Sequence, residues 1–249
     1  NADVLKIVGP SLSSDQLGFI YPLGSDLVEP INLALQELAR SGFMDEVNAK
    51  FFGPDFNITY DDLFPPEEGE VEETESVELP DLDGREITIA VEHQYLPYNY
   101  IDPDTGEPAG WDYDVWDEMC RLLNCTPTYI EASWEGMIQA VADGQFDAAA
   151  DGITITEDRA EIVDFSNGYM SIEIRLLTRI DEDRIEKIED IVDDEELVLG
   201  TQVGTTNYEV ATQYLSEDRI QAYEQFPFAV QALIAGDVDA VIIDETAGQ

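Results

Sequence analysis

The densest run of groups able to do polar chemistry is Asp151-Gly152-Ile153-Thr154-Ile155-Thr156-Glu157-Asp158-Arg159. A strand of small residues leads there into a bend and the first turn of a helix. Gly152 lets backbone approach a small molecule, the Thr154 hydroxyl can donate or accept, and Arg159 offers a planar fork suited to a carboxylate. An ordinary helix start, with Thr156 as cap and Arg159 on the surface, fits the same residues. A second run, Gly200-Thr201-Gln202-Val203-Gly204-Thr205-Thr206-Asn207, follows a strand and opens a helix. Its free N–H groups and the helix dipole favour an anion. It has no Gly-Lys-Ser/Thr ending and no nearby Lys, so a carboxylate suits it better than a polyphosphate, and a plain Thr-capped helix is the alternative. Asp244 ends the apolar strand Ala240–Ile243, where an acid could hold an ammonium or cap the helix that follows.

The elements that must position these groups are legible from periodicity. Ile87–Val91 reads as a buried strand, Asp102-Pro103-Asp104-Thr105-Gly106 as a hairpin turn, and Asp114–Leu123 as a helix with Val115, Met119 and Leu122 on one face. The turn resembles the opening of a calcium loop, but the remaining ligands and the terminal Glu are missing. Strand Thr128–Glu131, helix Trp134–Asp143, strand Asp147–Ala150, short helix Glu157–Ile162 and strand Ile172–Thr178 follow. A helix near Arg184–Val192, strand Leu197–Gly200, helix Thr206–Leu215, strand Ile220–Tyr223 and helix Ala229–Ala235 lead to the strand before Asp244. Ahead of all these, Gly18–Tyr21 reads as a strand, Asp26–Arg40 as an amphipathic helix stopped by Gly42, and Met44–Phe51 as another helix. Such alternation predicts α/β architecture with largely parallel sheets and ligands beyond the carboxyl ends of the strands. Residues 57–83 stand apart: Pro65-Pro66 and seven glutamates without Lys or Arg predict an extended acidic linker, and the Asn57-Ile58-Thr59 sequon inside it reads as chance.

Composition limits the partners. The chain has 249 residues, 44% of them hydrophobic, enough for one or two cored domains. With 56 acidic against 11 basic side chains, its formal charge of -45 argues against nucleic acid and anionic lipid. No apolar run approaches the roughly 20 residues of a membrane span. The start at Asn1, with neither Met nor a signal peptide, is expected of a mature or excised segment. Cys120 and Cys125 are too few for a four-cysteine zinc site, and the single His93 removes most histidine-based metal and triad chemistry. No metal or cofactor is therefore expected. The two cysteines fit a disulfide or two buried thiols equally well.

Together the segments resemble the amino-acid-binding proteins of ABC importers, the polar amino acid family of type II periplasmic (solute-binding) proteins. The resemblance rests on Tyr95-Leu96-Pro97-Tyr98, Gly110-Trp111-Asp112-Tyr113-Asp114, Gly152-Ile153-Thr154-Ile155-Thr156 with Arg159, Asp164-Phe165-Ser166 with Tyr169, Gly204-Thr205-Thr206, and Asp239 to Asp244. The amino-terminal segment (Leu17–Tyr21, Gly24 to Leu27, Asn32, Leu35, Gly42, Phe51-Phe52-Gly53) is similar to the family's last part. The implied fold is therefore a two-lobed α/β Venus flytrap in circularly permuted order, with a piece cut across two tandem copies as the other explanation. Residues 1–14 and 179–249 would form lobe 2, and 15–56 and 84–178 lobe 1, with hinge strands near Gly9–Ser14 and Leu176–Ile180.

The resemblance implies a ligand grip. Arg159 would clamp an α-carboxylate with backbone N–H groups at Thr154 and Thr206, in the setting of Gln202 and Thr205. Asp244 would take the α-ammonium, with Gly152 or Asp151 supplying a carbonyl, and Tyr95 and Trp134 would flank the side chain. Glu92 and Asp112 stand where basic-amino-acid binders tend to carry acids, and Asp151 replaces a usual small residue. Unpaired buried carboxylates are costly, so the cluster favours arginine, then lysine or ornithine, over glutamine. The expected role is capture of the amino acid outside the cytoplasm, by closure of the lobes, for an ABC permease. The expected state is a monomer, with a segment-exchanged dimer as alternative. A sensor domain shares these features. A dehydratase on the same scaffold, with Glu92 or Asp151 as general acid, would waste the ammonium-binding acid, so no enzyme is expected.

Overall fold

The computed structural model describes residues 4–56, 58–60 and 78–248. Most of the expected acidic linker, and Asn57 of the sequon, lie outside those residues. In chain order come β1 (Leu5–Leu17), β2 (Ile20–Pro22), α1 (Val28–Ser41), α2 (Phe43–Phe52), β3 (Arg85–Val91), β4 (Gln94–Tyr95), β5 (Asn99–Ile101) and β6 (Pro108–Ala109). Then follow α3 (Trp111–Leu123), β7 (Cys125–Glu131), α4 (Trp134–Ala142), β8 (Ala148–Ala149), α5 (Glu157–Ala160), β9 (Val163–Phe165) and β10 (Met170–Arg179). The last stretch holds α6 (Ile188–Asp193), β11 (Leu199–Gln202), α7 (Thr206–Tyr214), β12 (Ile220–Tyr223), α8 (Phe226–Ala235), β13 (Ala240–Asp244) and α9 (Glu245–Gly248).

The chain divides into two compact units. The first holds residues up to Asp15, Gln94–Leu96 and everything from Ile172; the second holds Gln16–His93 and Pro97–Ser171. The expected boundary at 178/179 falls inside β10, whose residues join the first unit from Ile172 onward. The other crossing, after Asp15, lies just past Gly9–Ser14.

In the second unit the sheet order is β7-β3-β8-β2-β9. Strand β3 is parallel to β7 and β8, whereas β2 is antiparallel to β8 and β9. In the first unit the order is β1-β10-β13-β11-β12, with β11 parallel to β12 and β13, and β10 antiparallel to β13. The sheets are therefore mixed, a correction to the expectation of largely parallel ones. Strands β2 and β10 enter from chain running out of the other unit, so no helical crossover of their own unit dictates a parallel direction.

Local chemistry explains the elements. Helix α1 buries Ile31, Ala34, Leu35 and Leu38, one stripe at helical spacing, and Gly42 ends it in a left-handed conformation. Helix α3 buries Val115, Trp116, Met119 and Cys120, and the Asn124 N–H turns back to the Cys120 carbonyl. A disulfide joins Cys120 to Cys125, settling the open choice between bridge and thiols and tying the end of α3 to the start of β7. The helix expected near Arg184 starts only at Ile188. Lys187 is extended, and Arg184 is instead paired with Glu182 and Asp239. The hairpin turn holds as expected, Asp102 Oδ1 accepting the N–H groups of Asp104 and Thr105 at 2.8 and 2.9 Å. No helix among the described residues is long and apolar enough to cross a membrane.

Candidate functional site

The second unit gathers seven of the expected residues. The chain leaves β8 at Ala149 and passes Asp151 and Gly152, which adopts φ 55°. The following backbone is fixed by the segment before β2: Gly18 N–H donates to the Ile153 carbonyl at 2.9 Å and Ile155 N–H to the Gln16 carbonyl at 2.8 Å. This leads into the one-turn helix α5. Thr156 caps it, its Oγ1 accepting the Arg159 N–H at 3.2 Å. The cap and the clamp are compatible, because the cap engages only the Arg159 backbone. The guanidinium reaches back to donate to the Thr154 carbonyl at 2.8 Å, and its central carbon sits 5.4 Å from the Trp134 ring centroid. Trp134, Thr154 and Arg159 thus form one group at the start of α4 and α5.

The same unit buries three acids, Glu92, Asp112 and Asp151. Asn99, itself buried, organises two of them. Its Nδ2 donates to Asp151 Oδ1 at 2.6 Å and Asp112 Oδ2 at 3.0 Å, while its Oδ1 accepts the His93 N–H at 2.8 Å. Burial pushes Asp112 up to about 8, against the lowering effect of the Asn99 bond. Burial likewise raises Asp151 to about 7, opposed by Asn99 and by the Glu92 backbone N–H. Asn99 was missed in the sequence. Its neighbour Tyr98 drew notice through its motif, but only the tertiary approach of β5 to α3 and to the segment after β8 makes the asparagine a bridge.

The first unit gathers the other five. Asp244, the last residue of β13, accepts from Asn207 Nδ2 at 3.0 Å on one oxygen and from the Tyr95 hydroxyl on the other. Its carboxylate is thus engaged by side chains of β4 and α7. The Tyr95 ring stacks on Phe226 with centroids 5.4 Å apart. Sequence reading put Tyr95 in the lobe of the first strand, whereas Gln94–Leu96 clusters with the first unit. Thr205 realises the plain capping alternative: its Oγ1 accepts the Tyr208 N–H at 3.2 Å and donates to the Gln202 carbonyl at 2.8 Å. The Gln202 amide donates to the Glu224 carbonyl, and Thr206 is the first residue of α7. Asn207, one position further, was quoted in the sequence motif but given no role. Among the described residues, no group of three or more His, Cys, Asp or Glu is arranged to hold a metal ion.

Similarity to known proteins fits this geometry. An arginine-binding periplasmic protein of Mannheimia haemolytica is 28% identical over 156 residues, which make up 63% of this chain and 62% of that protein. The chain thus spans less than two thirds of that relative's length. An ancestral arginine-binding protein solved with glutamine bound shares 26% identity at a TM-score of 0.61, covering 66% of this chain and 71% of that one. An ancestral amino acid-binding protein, described as a precursor of cyclohexadienyl dehydratase, shares 28% identity at the same TM-score, 0.61, over 64% of this chain and 70% of that one. The α/β fold implied by the sequence resemblance is the fold of these neighbours. Residues 87–235, more than half of the chain, match the profile of the bacterial extracellular solute-binding proteins, family 3, and the chain belongs to that family.

Proposed function

We propose that this chain captures a free amino acid with a cationic side chain, arginine first, outside the cytoplasm, and delivers it to an ABC-type permease without catalysing a reaction. The observation that carries the reading is Arg159, held between the Thr154 carbonyl and the Trp134 ring. A guanidinium fixed in this way is pre-organised for a carboxylate, since little side-chain freedom is left to lose. Asp244 is the acceptor for an α-ammonium, and Asn207 and Tyr95 already orient both its oxygens. Glu92, Asp112 and Asp151 supply negative charge for a basic side chain. The acidic chain is taken to act as a monomer, with no affinity for nucleic acid.

Glutamine is a second reading, favoured by the neighbour that was solved with glutamine in an arginine-binding protein. The dehydratase-precursor neighbour is itself described as an amino acid-binding protein, which supports binding over catalysis. The order of segments is read as permuted. In support, the family match starts at residue 87, yet β1 and β2, which precede it, join sheets of both units.

Titration calorimetry with a panel of amino acids tests the reading. Arginine, lysine or ornithine is expected to bind more tightly than glutamine, and the reverse order would refute the cationic assignment. Arg159→Ala and Asp244→Ala should each weaken binding by at least about 2 kcal/mol, the scale of a truncated buried charge pair. Unchanged affinity would remove the residue from the site, and turnover of a substrate would overturn the non-catalytic role.

A further inference from the structure

Asn99 does something the ligand reading does not require of it. One amide nitrogen, with two hydrogens to give, bonds carboxylate oxygens of both Asp112 and Asp151, so two buried acids are held as near neighbours. Among the described residues, neither acid has a lysine or arginine in ion-pair contact. The groups that share their field are neutral or acidic: Tyr113 and Tyr129 on α3 and β7, Tyr169 ahead of β10, and Asp117, Glu131 and Glu92 around them. Burial lowers the nearby His93 from its ordinary value, opposed by Glu131. Several polar atoms there are also unsatisfied. Asp112 Oδ1 and the hydroxyls of Tyr21 and Tyr169 are fully buried without a hydrogen-bond partner among the described residues. Such orphans carry a desolvation cost that a bound group would relieve.

We infer that Asn99, Asp112 and Asp151 form a proton-holding clasp that the cationic side chain of a ligand discharges, making Asn99 a specificity-setting positioning residue. The inference rests on the proposed amino-acid reading of this unit. Two carboxylates held this close away from water cannot both ionise without a cation. With the site empty, or holding a neutral side chain, the pair keeps a proton. A guanidinium or ammonium arriving beside Asp151 takes over the proton's role, and the proton leaves to solvent, so the local charge is unchanged. A neutral side chain of equal size has nothing to exchange, and this difference is what selects the cation.

The test compares arginine with citrulline, which replaces the guanidinium by a neutral urea group, in calorimetry between pH 6 and pH 8. Arginine is expected to tighten by roughly tenfold across that range and to release a proton to the buffer, while citrulline changes by less than about twofold. Asp112→Asn should flatten the arginine slope and shrink its advantage over citrulline at pH 8. Equal slopes for the two ligands, or an unaltered slope in Asp112→Asn, would overturn the clasp. If neither ligand binds, the amino-acid reading fails and the empty protein decides the clasp. Raised acids stabilise the folded chain at low pH and lose that contribution as pH climbs through their folded values, about 7 and about 8. Melting temperature should therefore fall from pH 6 to pH 8 in the native chain and less so in Asp112→Asn. Should Asp112→Asn not fold, the infrared carbonyl band of a protonated carboxyl in the native chain serves instead, and its absence at pH 6 sinks the idea.

Discussion

Asp244 shows how much of one residue's behaviour is set by partners remote in the chain. Its two oxygens are held by different elements, one by Asn207 at the start of α7 and the other by Tyr95 from the short excursion Gln94–Leu96. The Tyr95 ring keeps its own anchor on Phe226, so Tyr95→Phe should retain the stack and lose only the bond. A hydrogen bond to a buried charged group contributes about 2 kcal/mol, and urea unfolding of Tyr95→Phe should show a loss of that order. A loss near zero would mean that the hydroxyl does not hold Asp244. Arg159, Thr154, Asp151 and Asp244 could be picked from the sequence because each sits in a short run whose local geometry is implied by its own neighbours. Tyr95 was found but given the wrong surroundings, and Asn99 was not found at all. Their partners lie 149 and 52 positions away, and a side-chain contact at that separation depends on how separate elements pack, which residue spacing does not carry.

At the scale of elements, the placement of Asp112 hangs on a close backbone approach at the start of α3. Trp111 and Asp112 donate their N–H groups to the carbonyls of Pro97 and Tyr98 at 3.0 and 2.9 Å, which brings the first turn of α3 against the strand that carries Asn99. Gly110 makes this fit. It has φ 142°, and a Cβ there would meet the Tyr98 carbonyl oxygen at 2.1 Å. Gly110→Ala should therefore cost roughly 3 kcal/mol through overpacking and backbone strain. Gly106 in the hairpin turn also has a positive φ, 74°, but open space around it, so Gly106→Ala should cost only about 1 kcal/mol. Chemical denaturation of the two variants checks the contrast, and equal losses would show that the Tyr98 contact is not what demands glycine. The helices were legible because their apolar stripes repeat at helical spacing, as in α1 and α3. Strand direction was not, since β2 and β10 are antiparallel for a reason that lies in the connectivity between units.

For the whole molecule, the amino-terminal segment is structural for both units. It supplies the edge strand β1 of one sheet and, in the other, β2 between β8 and β9. Leu17, Phe19, Ile20 and Tyr21 are all buried, with Phe19 stacked on Tyr169 at 4.6 Å. Residues 78–248 contain the entire family match and still lack these strands. Removing an interior strand exposes two ladders and the apolar face that they share, more than a chain of marginal stability tolerates. A chain beginning at residue 78 should accordingly show no cooperative melting. The far end points to the remedy, because a side chain added at Gly248, in α9, would lie 3.7 Å from Ile7 of β1. Residue 248 can accordingly be joined to residue 4 through a Gly/Ser link, with the chain ending at residue 56. That reordered chain should melt cooperatively, within a few degrees of the original, and bind the same amino acid. If residues 78–248 fold by themselves, or if the reordered chain fails where the original succeeds, the permuted reading is wrong and the amino-terminal segment does not close both sheets.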